Sequence, residues 1–132
     1  AALTRRRLLV FDDCQEFRDF LVLLLNRAGW TAPAFDDPHA FFNDTCMNCT
    51  DHACGAELLL SDVTMPPMEG TELVRRLKER SCSIKKVALL SGAWSQAALD
   101  DAQTLGIKAL DKAELFGSLI PWLEQDGSAS FE

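Results

Sequence analysis

Several short apolar runs in this chain end on a side chain able to do chemistry. "VFDD" closes on Asp12 and Asp13, "LLLSD" on Asp62, "LLSG" on Ser91 and "LDK" on Lys112. Three carboxylates brought together repel one another and raise each other's pKa values. A small hard cation relieves that repulsion. An open cluster of oxygens suits Mg²⁺, which keeps several waters and favours phosphate as a co-ligand. A hydroxyl and an ammonium beside such a cluster complete a set suited to a phosphoryl group. The cation and the lysine neutralise its oxygens while the serine donates a hydrogen bond. A lone aspartate at a strand end is commonly just the N-cap of the next helix. The combination of Asp, Ser and Lys at matching positions points to a site.

These residues cooperate only if the runs that carry them lie side by side. "LLVF" (8–11), "LLL" (58–60), "VALL" (87–90) and the weaker "IKAL" (107–110) are solidly apolar. That suits strands buried on both faces of a parallel sheet. Between them the apolar residues fall at three- and four-residue spacings. One helix is predicted through Phe17, Phe20, Leu21, Leu24, Leu25 and Ala28, with Gly29 placed to end it. Others carry Leu73, Val74 and Leu77, then Ala98, Ala102 and Leu105 before Gly106, then Leu115, Leu119, Trp122 and Leu123. "TAPAF" (31–35) is the poorest strand, and Pro33, lacking an amide hydrogen, belongs at a sheet edge. "DPHAFFND" (37–44) starts as a short helix.

The alternation of strand and helix predicts an α/β fold, a doubly wound five-stranded parallel sheet with helices on both faces. The common strand order 2-1-3-4-5 puts Pro33 and Lys108 on the edges, which tolerate both. It also puts the reversal of strand order between strands one and three, so Asp12, Asp13 and Asp62 converge on one crevice.

Composition narrows the function classes. The 132 residues are 48% hydrophobic and 25% charged, the profile of an ordinary globular domain. A net charge of −7 repels phosphate backbones and argues against direct nucleic-acid binding. Arg5, Arg6 and Arg7 read as a solvated terminus. No apolar run approaches the roughly 20 residues that span a bilayer. No signal peptide is expected where a charged segment leads directly into a strand, and the start at Ala1 is compatible with a longer parent. The five cysteines are odd in number, and Cys14 and Cys82 sit in or beside helical patterns, which favours a reducing cytoplasm over a disulfide framework.

"FDD", "LLLSDVTMPPMEG", "LLSG" and "LDK", in this order and spacing, resemble the receiver domain of bacterial two-component response regulators. The resemblance runs from about Leu8 to Leu123 and implies a flavodoxin-like fold over residues 1–125, with 126–132 as a polar tail. It implies that Asp62 is the phosphoacceptor, a carboxylate nucleophile served by a sensor histidine kinase or phosphotransfer protein. Asp13 and Asp62 would bind Mg²⁺ directly, Asp12 mainly through water, and Thr64 would lend its backbone carbonyl. Ser91 and Lys112 would hold the phosphoryl oxygens, while Pro66 and Gly70 would shape the loop after strand three. A downstream output protein or domain is implied as well. Surfaces used for homodimers in the family would here include Lys108 and Trp94.

Two positions depart from the family pattern. Proline usually follows the lysine and an aromatic residue stands three positions before it; here those places hold Ala113 and Ala109. An alanine cannot perform the inward turn that the aromatic makes on phosphorylation. "DKAE" (111–114) also resembles a capping box. A cap at Asp111 would make Lys112 the first helical residue, and an ammonium turned away from Asp62 is then the alternative to its place at the site. Trp94 is either a partner-contacting, phosphate-sensing residue or an ordinary half-buried aromatic, whereas Trp30 and Trp122 fall in core patterns.

The stretch "CMNCTDHAC" looks like an insertion, about 45–55. Cys46, Cys49, His52 and Cys54 offer the ligand types of a structural Zn²⁺ site or a redox-active thiol pair. The two-residue spacing of His52 and Cys54 and the lack of a second knuckle favour an inert loop. His39 reads as a surface histidine, and Cys14 and Cys82 as packing residues. Two other function classes are to be weighed. One is a phosphorylation-independent pseudo-receiver, a binding module sensing metal or redox state through that loop. The other is a phosphatase of the haloacid dehalogenase type, which needs a second Asp two residues after its nucleophile. Cys14 and Gln15 stand in those places, so the phosphatase pattern fails.

Overall fold

The apolar runs form the centre of a parallel sheet. The computed structural model describes residues 6–39, 56–64, 68–79, 84 and 86–124. Its strands are β1 (Arg6–Phe11), β2 (Trp30–Thr31), β3 (Ala34–Phe35), β4 (Leu58–Asp62), β5 (Lys86–Ser91) and β6 (Lys108–Asp111). Its helices are α1 (Gln15–Arg27), α2 (Gly70–Glu79), α3 (Gln96–Leu105) and α4 (Leu115–Glu124), the last preceded by a 3₁₀ turn at Lys112–Glu114. The sheet order is β2-β1-β4-β5-β6, with β3 also on β1 and every pairing parallel.

The expected second strand is divided. β2 lies beside Arg6 and Arg7, β3 beside Val10 and Phe11, and the two together occupy one edge position. With β2 and β3 counted as one edge strand, the order is the expected 2-1-3-4-5. The break falls at Ala32 and Pro33, where proline has no N–H for the ladder. Its carbonyl still accepts from Val10 N–H at 2.9 Å, so the edge stays attached.

The pleat sends alternate side chains to opposite faces. Leu9, Phe11, Leu59 and Leu89 pack with Leu73, Val74 and Leu77 of α2 and Ala102 of α3. Leu8, Val10, Leu60 and Leu90 pack with Leu21 and Leu25 of α1 and Leu119 and Trp122 of α4. Gly29 (φ 94°) and Gly106 (φ 73°) end α1 and α3 in the left-handed region, where glycine carries no Cβ penalty. Ser95 caps α3, its hydroxyl accepting from Ala98 N–H at 3.1 Å.

The sheet end opposite the carboxylates is also polar. Arg6 pairs with Glu57 at 2.7 Å and lies 4.3 Å over the Trp30 ring. Lys86, expected outside its strand, is its buried first residue. Its ammonium donates to the Trp122 carbonyl at 2.6 Å and lies 5.1 Å from that indole. A cation among the last carbonyls of a helix is favourably placed.

A helical turn starts at Pro38. Asp37 accepts from the backbone N–H of His39 at 2.9 Å and contacts its ring, which holds the Asp37 carboxyl below its ordinary range. The Cys46, Cys49, His52 and Cys54 group, expected as a Zn²⁺ or redox alternative, lies outside the described residues, as do Cys82 and Pro66. Among the described residues no helix is long and apolar enough to cross a membrane.

Candidate functional site

The pairing of Phe11 with Ser61 sets Asp12 and Asp62 level at the exits of β1 and β4. One oxygen from each of Asp12, Asp13 and Asp62 lies within 4.8 Å of the others. Asp12 is wholly buried, Asp62 is 9% exposed, and Asp13 faces solvent. Asp12 Oδ1 accepts from Cys14 N–H at 2.8 Å, and its backbone carbonyl accepts from the Arg18 guanidinium at 2.7 Å. Asp12 Oδ2 is buried with no hydrogen-bond donor. Asp62 Oδ1 accepts from Thr64 N–H at 3.3 Å.

Lys112 arrives from the far side of β5. Its ammonium donates to Asp62 Oδ2 at 3.1 Å and lies 3.5 Å from Asp12 Oδ2. On another side it sits 4.5 Å from the centroid of the Phe17 ring. Lys112 therefore stands beside Asp62, and the alternative in which capping by Asp111 turns it away is not the one seen. Asp111 does cap, accepting from Ala113 N–H at 2.8 Å, but it does so in a single 3₁₀ turn. The long lysine stem reaches back to the carboxylates all the same.

Burial raises the Asp12 pKa, and the charge of Asp62 adds to the rise; Cys14 N–H and Lys112 offset part of it. Burial alone would lower Lys112, but its hydrogen bond to Asp62 and the charges of both carboxylates outweigh that and raise it. An oxygen-only donor set with a desolvated, undonated Oδ2 fits a hard divalent cation.

A carboxyl raised above its unfolded value of 3.8 favours the fold when protonated, and that contribution is lost as pH rises toward the folded value. Protons and Mg²⁺ therefore compete. Added Mg²⁺ should raise the melting temperature more at about pH 8 than at about pH 5. Equal gains in melting scans at both pH values would count against metal binding at Asp12.

Ser91 is half-buried, and its hydroxyl accepts from Ala93 N–H at 3.0 Å. It pairs with Asp111, one step beyond Leu90, the partner of Asp62. Trp94 precedes the Ser95 cap and is half-buried; its indole N–H donates to the Leu110 carbonyl at 2.8 Å. It packs against the α2–α3 face of the core, and Ala109 on β6 is half-buried as well. Cys14, expected to be a packing residue, is instead exposed at the N-cap of α1, where its side chain makes no capping bond. Phe17 is part of the apolar stripe expected for this helix, and that spacing carries no signal of its contact with Lys112 or of the bond from its neighbour Arg18 to Asp12.

Gly70 shapes the wall behind Asp62. A Cβ there would lie 2.6 Å from the Asp62 backbone oxygen and 3.0 Å from a Leu89 methyl. Gly70 N–H also donates to the Val63 carbonyl at 2.9 Å. Gly70→Ala should destabilise by about 1–3 kcal/mol, since backbone has to move. Denaturant melts that match the wild type would show that the loop can yield.

The family model for the response regulator receiver domain matches residues 8–114. The transcriptional regulatory protein FixJ of Bradyrhizobium diazoefficiens is 30% identical over 103 residues, covering 78% of this chain and 47% of FixJ. The response regulator receiver protein CpdR of Brucella abortus is 32% identical over 80 residues, covering 61% of this chain and 62% of CpdR. The solved structure of Vibrio cholerae chemotaxis protein CheY4 superposes with a TM-score of 0.78 at 20% identity, covering 92% of this chain and 98% of that one. The chain thus spans about half to three-fifths of the curated relatives' lengths. Strand order, the three carboxylates at the crevice and the matched span agree: this chain belongs to the response regulator receiver domain family.

Proposed function

We propose that residues 1–125 act as one receiver domain that accepts a phosphoryl group on Asp62 in the presence of Mg²⁺. The observation that carries this is Lys112 Nζ 3.1 Å from Asp62 Oδ2 within the acidic cluster. An Asp62 oxygen forms the new P–O bond as the P–N bond of a phosphohistidine donor breaks, its electron pair leaving on the imidazole nitrogen. The ammonium then moves from the carboxylate to a phosphoryl oxygen. Ser91 turns its hydroxyl from Ala93 N–H toward another. Asp12, Asp13, Asp62 and the Thr64 carbonyl would hold the Mg²⁺, which supplies neutralisation of charge on the transferring group.

Receiver domains are regulatory modules rather than enzymes turning over an external substrate. In this reading a cytoplasmic histidine kinase or phosphotransfer protein is the donor, and an output protein or domain reads the phosphorylated surface around Trp94 and Lys108, a surface also open to a homodimer. The test is intact-protein mass after incubation with Mg²⁺ and acetyl phosphate, then with a phosphorylated histidine kinase. One phosphoryl adduct is expected. None from either donor, each confirmed active on another receiver, would overturn the proposal.

A further inference from the structure

We propose that Phe17 is a positioning residue for Lys112, its ring holding the ammonium at the site while that ammonium exchanges the Asp62 carboxylate for a phosphoryl oxygen. This rests on the phosphoacceptor reading of the same site.

The Asp111 cap fixes the backbone at Lys112, but the four-carbon side chain beyond it remains free to rotate. Its ammonium is bounded by Asp62 Oδ2 at 3.1 Å, Asp12 Oδ2 at 3.5 Å and the Phe17 ring at 4.5 Å. The ring is itself held. It lies 6.1 Å from Phe20, both packed on the α1–α4 face of the core. The next residue, Arg18, bonds the Asp12 carbonyl at 2.7 Å, so α1 and the carboxylate move together.

An aromatic face attracts a cation without taking a hydrogen bond from it. A third carboxylate in that place would compete with an incoming phosphoryl oxygen, and a leucine would exert no pull. The ring lets the ammonium pivot from one acceptor to the next without leaving the site.

The experiment compares wild type, Phe17→Leu and Phe17→Tyr. Lysine side chains labelled at the ε-carbon are followed by NMR, and uptake from acetyl phosphate with Mg²⁺ by intact mass. In wild type and Phe17→Tyr the Lys112 ε-protons should be shifted upfield by the ring; in Phe17→Leu that shift should vanish. Uptake should be roughly three- to tenfold slower in Phe17→Leu and within about twofold of wild type in Phe17→Tyr. An ordinary lysine shift in the wild type would overturn the inference, as would a Phe17→Leu rate equal to wild type. So would slowing in Phe17→Tyr equal to that in Phe17→Leu, which would mark a packing role. A wild type with the ring shift but no phosphate uptake from any donor would overturn the phosphoacceptor reading, and positioning for transfer with it.

Discussion

Asp62→Asn is expected to take up no phosphate under conditions where the wild type does, a loss of about 10³-fold or more. The amide keeps the shape of the carboxylate, and its oxygen can accept from Thr64 N–H or from Lys112. It lacks the charge and the free oxygen that would attack phosphorus. The substitution also removes the negative charge that helps raise Asp12, so the fold should keep its stability to within about 1 kcal/mol. Intact mass and a melting scan on one sample separate the two effects. A phosphoryl adduct on the Asn variant would mean that another residue is the acceptor.

Lys112→Ala is expected to weaken both the fold and the chemistry. It leaves Asp12 Oδ2, wholly buried and without a hydrogen-bond donor, with no cation beside it. Removing one partner of a buried pair costs several kcal/mol. Because the lysine side chain is 25% exposed, about 1–3 kcal/mol at neutral pH is the expected loss without metal. Mg²⁺ should restore more stability to this variant than to the wild type, since the competing ammonium is gone. Phosphate uptake or the change that follows it should fall about 10²-fold, the scale of losing one charged donor to the transferring group. Melting in chelator and in Mg²⁺, with uptake rates alongside, checks this. A variant matching the wild type in all three would place Lys112 outside the chemistry.

The sheet was legible because strands buried on both faces read as unbroken apolar runs, and chemistry in such folds collects where those runs stop. Asp12, Asp13, Asp62 and Lys112 were therefore visible as a group before any geometry. Features that depend on distant partners were not. Lys86 looked like a boundary because its acceptor, the Trp122 carbonyl, lies 36 residues away. Phe17 matched a core stripe, and the spacing that placed it there says nothing of a lysine arriving from β6. At Asp111 the local signal for a cap was correct, but a cap governs the backbone and leaves a long side chain its reach. At Cys14 residue type suggested packing, but the position it occupies, the N-cap of α1, is exposed. Pro121, a residue that locally argues for a break, lies within α4, where the apolar spacing of Leu119, Trp122 and Leu123 continues across it.

The polar ends of the strands have a second consequence, for register. Leu8 and Val10 face one cluster while Leu9 and Phe11 face the other. Sliding β1 by one residue would exchange the two sets and still bury every one of them. Hydrophobicity, which fixes alignment in a one-sided sheet, is nearly indifferent here. What objects to the slip are the termini: Arg6 against Glu57 at one end, Asp12 and Asp62 against Lys112 at the other. A slip would drag a charge between apolar neighbours or strand it from its partner. The carboxylates thus act as stops that align the strands. Replacing both Asp12 and Asp62 with leucine would lengthen the apolar runs and open the way to misaligned sheets during folding. Polarity at those two places thus serves the register of the sheet independently of any chemistry at the site.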